Sequence, residues 1–184
     1  MHIGLTQRVL LHNIRAYDSL EHSWYRFLKD HTLCPIANRP NQNWQQLAQN
    51  LDALIITGGD DSTVRRATEI PLAKHMWQTQ KPVIGICHGA FLLTDLLGGT
   101  VTEIDNHANT EHMVWYFGEP KLVNSYHSLA IKQLHAGATA LVNDSDGNIE
   151  AWIDGTLAGI VWHPERQLVP WMPDEIQSLL ERKS

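Results

Sequence analysis

Residues 81–99, KPVIGICHGAFLLTDLLGG, change hydrophobic period midway, and the change dictates a strand that passes directly into a helix. Val83, Ile84 and Ile86 behind Pro82 form a short β-branched run suited to a parallel strand buried on both faces. Leu92, Leu93, Leu96 and Leu97 then recur at helical spacing, and Gly98-Gly99 suits the end of a helix. Between the two stands Gly85-Ile86-Cys87-His88-Gly89. Glycines on either side of the cysteine leave room for a tight strand-to-helix turn, the nucleophile-elbow arrangement with sulfur in place of oxygen. Such a turn lifts Cys87 clear of the sheet, and the N–H groups that open the helix stabilise negative charge beside it. The N–H of His88 is placed to meet an oxyanion formed when Cys87 attacks a carbonyl. A small structural cysteine buried in the core is the competing reading, and the motif by itself does not separate the two.

The rest of the chain fits an open α/β sheet around this elbow. Its 184 residues suit one domain, residues 1–184, with no composition break to suggest a second. Ile3-Gly4-Leu5 begins a first strand, with Thr6, Gln7 and Arg8 at its carboxyl end, the end where such sheets bind ligands. Residues 17–30 carry Leu20, Trp24, Phe27 and Leu28 at helical spacing and predict an amphipathic helix. Leu33-Cys34-Pro35-Ile36 reads as a second strand, at an edge because of Pro35, and residues 43–49 as a short helix. Residues 52–61, DALIITGGDD, form an apolar strand that runs into paired glycines. Gly58 and Gly59 let backbone approach a ligand, and beside an elbow cysteine the Gly59 N–H is the second oxyanion donor. Asp60 and Asp61 are read as ligand contacts or as caps of the next helix, through Leu72 and Met76, and not as a metal site.

After Gly99 the pattern turns to strands, over residues 100–102, 113–117, 122–123, 138–142, 149–153 and 157–162, with Asp146-Gly147 and Asp154-Gly155 as hairpin turns. Residues 173–183 predict a terminal helix carrying Ile176, Leu179 and Leu180.

Charge and composition narrow the partners. Lys plus Arg number 14 against 20 Asp plus Glu, giving −6 with no basic stripe, so nucleic acid is not an expected partner. No apolar run approaches the roughly 20 residues that span a bilayer, so no membrane partner is expected and a cytoplasmic protein is. Cys34 and Cys87 are the two cysteines, too few for a disulfide scaffold. Among 11 histidines, His107 and His112 lie near Glu111, and imidazole and carboxylate are zinc ligands. No third histidine at recognisable spacing joins them, so neither a metal nor a cofactor is expected.

His163 is the decisive histidine. The apolar run over residues 157–162 reads as a buried strand ending in His163-Pro164-Glu165. In extended backbone, residues two apart project to the same side, so Glu165 can hold one ring nitrogen while the other faces Cys87. That is the nucleophile, base and orienter logic of a triad.

At this point the chain resembles the class I glutamine amidotransferases, including the γ-glutamyl hydrolase (peptidase C26-like) branch. DALIITGGD, GICHGA, VNSYHSLAI and GIVWHPER occur in the family's order and cover nearly the whole chain. The resemblance implies a three-layer α/β/α sandwich around a mainly parallel, flavodoxin-like sheet. It implies Cys87 as nucleophile, His163 as base, Glu165 as its orienter, and Gly59 and His88 backbone as the oxyanion hole. It also implies that residues 126–129, Tyr126, His127, Ser128 and Leu129, hold the glutamyl end of the substrate, with Ser128 and Leu129 backbone on its α-carboxylate. The implied reaction is hydrolysis of a γ-glutamyl amide through a glutamyl-thioester.

One departure bears on substrate. Four residues after the cysteine many members carry a glutamine that contacts the substrate amide, and here the position is Phe91, which cannot make those hydrogen bonds. The opening IGLTQR and the short length look closer to small γ-glutamyl-amide hydrolases, including those acting on γ-glutamylated nucleotide phosphoramidates. Two alternatives stand beside this reading: a glutaminase subunit delivering ammonia to a synthase partner, and an enzyme of the intracellular-protease and glyoxalase superfamily using Cys87-His88. Trp115, Tyr116, Trp152 and Trp171 are candidates for an aromatic mouth around the amine half of the substrate.

Overall fold

In the computed structural model, which describes residues 1–39, 41–105 and 107–181, the first half of the chain alternates strands and helices. β1 (His2–Thr6) is followed by a hairpin of β2 (Arg8–His12) and β3 (Arg15–Ser19), then α1 (Ser23–Phe27) and β4 (Thr32–Ile36). α2 (Trp44–Gln49), β5 (Ala53–Ile56), α3 (Thr63–Gln78), β6 (Val83–Ile86) and α4 (His88–Leu96) complete this half. Six strands come next: β7 (Thr100–Glu103), β8 (Thr110–Tyr116), β9 (Glu119–Ser125), β10 (Leu129–Gln133), β11 (Thr139–Asp144) and β12 (Ile149–Asp154). β13 (Leu157–Ile160) then returns to the centre, and α5 (Asp174–Gln177) lies near the end.

β4, β1, β5, β6 and β13 pair in parallel in that order, the order of a flavodoxin-like sheet. All four residues of β5, of β6 and of β13 are buried, as their apolar runs require when both faces are covered. Beyond β13 the sheet continues antiparallel through β12, β11, β8 and β9, with β10 bridging β12 and β7. The buried apolar side chains form one connected cluster from Ile3 to Leu180.

Where the structure departs from expectation, the reasons are local. Residues 17–30 are not one helix. Residues 15–19 pair with β2, and only Ser23–Phe27 are helical, burying Trp24 and, just beyond, Leu28. The hairpin turns at Asn13 and Ile14, both at positive φ (46° and 61°), a primed turn whose usual Asn-Gly signal is absent. Pro35 stands on edge strand β4, where a missing N–H costs no ladder bond. α3 is capped by Ser62, which accepts from the Arg65 N–H, while Asp61 pairs with Arg66 instead. β10 was not legible as a strand. The terminal helix is shorter than its pattern, α5 followed by a 3₁₀ turn at Ser178–Leu180, and Lys183 lies outside the described residues.

Candidate active site

The carboxyl ends of β1, β5, β6 and β13 converge, and the candidate residues stand there. Cys87 leaves β6 with its N–H bonded to Ile160 O of β13 (2.8 Å) and begins α4 at the next residue. Its φ of 51° is left-handed, a conformation that costs a non-glycine residue about 1–3 kcal/mol and is held here by the packing around it. The flanking glycines make the turn possible. A Cβ on Gly85 would fall 2.3 Å from the Gly89 backbone, and one on Gly89 would fall 2.2 Å from Ile56 O, so α4 lies directly on the sheet. Cys87 is 8 % exposed, packed at the margin of the core and lining a cleft.

His163 reaches the same point from β13. Its backbone is clamped by Asn124, which accepts from the His163 N–H (2.9 Å) and donates to its carbonyl (2.8 Å). Its Nδ1–H donates to Glu165 Oε1 at 2.6 Å, leaving Nε2 for the thiol. The pairing is as expected but the local path is not: Pro164–Arg166 form a 3₁₀ turn, which folds the carboxylate back to the ring instead of carrying it along an extended strand. Both side chains are almost wholly buried. Burial pulls the His163 pKa down, but hydrogen bonds and charge from Cys87 and Glu165 outweigh it and raise it to about 9. The ring is therefore an imidazolium at neutral pH, a positive charge beside the sulfur. Tyr126 meets the ring edge-on at 5.5 Å and is covered in turn by the Arg166 guanidinium at 4.7 Å, itself paired with Glu21 (2.7 Å).

The loop after β5 is shaped from behind by Arg65, fully buried on α3. Its guanidinium donates to the carbonyls of Thr57 (2.8 Å), Asp60 (3.1 Å) and Gly58 (3.4 Å). With three carbonyls drawn to one side, the Gly59 N–H is free to face the cleft. No backbone carbonyl among the described residues takes up the N–H of Gly59 or of His88. Arg65 is paired in turn with Glu69 (2.7 Å), which also accepts from Thr6 (2.8 Å) and from His88 Nε2–H (2.9 Å). Burial acts to raise the Glu69 pKa, and His88 and Arg65 more than reverse it, so the carboxylate stays charged. The His88 side chain is thus anchored to α3.

The cleft above Cys87 has a volume of about 560 Å³, and Gly59, Asp60, His88, Phe91, Tyr126, His127, Ser128 and Leu129 all line it. Gly58 does not: it lies beneath the His163 ring. The aromatic mouth is not formed. Trp152 is buried in the sheet, Trp171 stacks on Trp162, Tyr116 bonds Glu175 and Trp115 is exposed on β8, and none of the four lines the cleft. Sequence reasoning missed Arg65, Glu69 and Asn124, whose partners lie 4 to 63 residues away. An arginine four residues before a glutamate on α3 was the only signal present, and it reads equally as a surface pair.

A cysteine on a strand-to-helix elbow, facing a histidine backed by a carboxylate, is the arrangement of cysteine nucleophiles that work on acyl groups. Residues 13–180 match the family profile described as Glutamine amidotransferase class-I, and the chain belongs to that family. It is 25 % identical over 183 residues to the gamma-glutamyl-CDP-amidate hydrolase of Campylobacter jejuni, covering 91 % of each chain. It is 28 % identical over 154 residues to a glutamine-hydrolyzing GMP synthase of Dehalococcoides mccartyi, covering 76 % of this chain but 28 % of that enzyme. The crystal structure of a glutamine amidotransferase from Thermotoga maritima superposes with a TM-score of 0.69 at 16 % identity, covering 89 % of this chain and 76 % of that one. That likeness establishes the α/β fold with its mainly parallel centre. No helix among the described residues is long and apolar enough to cross a membrane.

Proposed function

We propose that the protein hydrolyses a γ-glutamyl amide bond through Cys87, His163 and Glu165. The observation that carries this is the buried His163–Glu165 pair (2.6 Å) presenting its other nitrogen to an elbow cysteine at the floor of a 560 Å³ cleft. Cys87 sulfur attacks the γ-carbonyl carbon, and the carbonyl oxygen gains negative charge that the N–H groups of Gly59 and His88 receive. The imidazolium of His163 gives its proton to the departing amine as the C–N bond breaks, leaving a glutamyl-thioester. His163, now neutral, takes a proton from water, which adds to the thioester carbon. The thiolate leaves, glutamate is released and His163 is again protonated. Glu165 holds the ring tautomer through both steps and faces its positive charge.

On substrate, the whole-length similarity to a gamma-glutamyl-CDP-amidate hydrolase and the aromatic Phe91 in the cleft favour a γ-glutamyl phosphoramidate of a nucleotide over glutamine. The similarity to a glutamine-hydrolyzing GMP synthase supports a second reading, a glutaminase that passes ammonia to a synthase partner. The Cys87-His88 reading is disfavoured, because the His88 ring is taken up by Glu69 (2.9 Å). The test is to incubate the chain with glutamine and with γ-glutamyl amides of different amines, trap the acyl-enzyme, and weigh the Cys87 peptide. A glutamyl adduct on Cys87, and no glutamate release by Cys87→Ala, is expected. Undiminished release by that variant overturns the assignment, and release from glutamine only in the presence of a synthase selects the second reading.

A further inference from the structure

Behind the wall of the cleft lies a second cluster of polar side chains that the proposed reaction does not use. His107, before β8, His112 on β8 and Glu150 on β12 each aim a ligand atom at one point, and the three atoms lie within 4.8 Å of one another. Glu150 is 1 % exposed, and its Oε2 has no hydrogen-bond partner among the described residues. The same holds for His107 Nε2 and for both ring nitrogens of His112. Leaving so many buried polar atoms without a hydrogen bond is costly, and for Glu150 the one compensation is the imidazole of His112 at ion-pair distance.

The spacing says what is missing. His112 Nε2 stands 3.6 Å from Glu150 Oε2, within ion-pair distance for a protonated ring but beyond hydrogen-bond range. Two ligands each about 2.0–2.1 Å from a tetrahedral zinc ion stand roughly 3.4 Å apart, close to this separation. His107 Nε2 is also 3.7 Å from Asp144 Oδ2, but that carboxylate already accepts from Asn148 and Asp146 and is a neighbour of the cluster, not a vacant ligand. A fourth imidazole stands at the rim. His127 is 4 % exposed, and its Nδ1–H donates to Leu129 O (2.7 Å), which leaves the Nε2 lone pair unengaged. Its ring centre is 5.5 Å from that of His107 and 6.2 Å from that of His112.

We propose that His107, His112 and Glu150 hold one divalent metal ion of the zinc type, with His127 at the edge of the site. Two imidazoles and one carboxylate are a borderline donor set that suits zinc and its neighbours better than magnesium or calcium. The ion satisfies the orphaned nitrogens and the buried carboxylate together. It also ties the loop before β8 and β8 itself to β12 directly against the His127 ring, so its role is to brace the wall of the cleft that residues 126–129 line. Glu111, adjacent in sequence, is exposed and takes no part.

The site is tested on the full chain in a Cys34→Ala, Cys87→Ala background, free of any histidine tag, so that neither a thiol nor a tag competes. After treatment with a chelator, the protein is titrated with zinc and with cobalt(II). Binding of about one ion per chain, a visible cobalt absorption of low-coordinate type, and a rise in melting temperature with zinc are expected. His112→Ala and Glu150→Gln should weaken binding by more than the roughly 10–100-fold that loss of a mere supporting partner costs. Glu111→Gln should bind as the parent does. A folded parent that binds neither ion stoichiometrically overturns the proposal, and so does binding that survives both ligand substitutions. Neither outcome depends on turnover of any γ-glutamyl amide.

Discussion

Gly58 and the His163 ring are in such close contact that a Cβ built on the glycine would fall 2.3 Å from Cε1 and 3.0 Å from Nε2. The backbone of the loop after β5 is therefore the seat on which the imidazole rests, and it fixes the direction in which Nε2 points. Gly58→Ala leaves the protein folded but pushes the ring away from the sulfur. With a displacement on the order of 1 Å costing about 100-fold in rate, glutamate release should fall by that factor or more. Steady-state kinetics beside a circular dichroism spectrum check this. Retained activity in a folded Gly58→Ala variant means that the ring is not positioned by this contact.

His163 should titrate far from the ordinary histidine range. Burial lowers its pKa, while Cys87 and Glu165 raise it to about 9, so the proton is held through neutral pH. Because the folded pKa lies above the unfolded one, this proton stabilises the fold fully below about pH 6.5, and the contribution fades as pH rises to about 9. A shift of that size corresponds to stability on the order of 3 kcal/mol. Proton NMR of the ring across pH 5 to 10 is expected to show a midpoint near 9 in the wild type and a lower one in Cys87→Ala, which removes the first of the two raising partners. A midpoint near 6.5 in the wild type contradicts the ion pair.

The parts of this site that the sequence exposes are those whose chemistry is written in contiguous residues. The elbow needs Gly85, Cys87 and Gly89 within five positions, and the histidine–carboxylate pair needs His163 and Glu165 within three, so each could be read from a short stretch of chain. Even there the route differed, since a 3₁₀ turn and not an extended strand brings Glu165 to the ring. The supports were hidden because their partners are distant: Asn124, near the end of β9, meets the His163 backbone only in the folded chain, and Arg65 reads as a solvated helix residue until its carbonyl partners fold around it. The hairpin at residues 8–19 was masked by Ile14 at a position that normally shows glycine. Glu150 was invisible as a companion of His112 for the same reason, 38 residues and two hairpins apart.

Arg65 and Glu69 form a fully buried pair, and Arg65 also holds three carbonyls of the loop after β5, so removing one partner strands the other. Arg65→Met should cost about 3–5 kcal/mol, read as a lowered urea midpoint, because Glu69 loses its permanent counter-charge. Arg65→Met with Glu69→Met removes both charges together and should cost less than the sum of the single changes. Additive losses mean that the two side chains do not act as a unit. Activity is expected to fall in both variants, since the carbonyls that turn the Gly59 N–H toward the cleft are no longer held.

Phe91 lines the cleft one helical turn beyond Cys87, with its ring 5.9 Å from that of His127. Its ring offers no hydrogen bond to a molecule in the cleft, whereas an amide side chain would offer both a donor and an acceptor. If this residue steers the enzyme away from glutamine, Phe91→Gln should raise kcat/KM for glutamine. The gain expected from one net hydrogen bond of about 1 kcal/mol is roughly fivefold. Hydrolysis of γ-glutamyl amides with larger amines should fall or stay level, because the aromatic contact area is lost while Cys87 and His163 are untouched. Glutamate release measured in parallel on glutamine and on a bulky γ-glutamyl amide separates the two effects. A variant that gains nothing on glutamine places the choice of amine elsewhere in the cleft wall, at Tyr126 or His127, and removes Phe91 from the account of specificity.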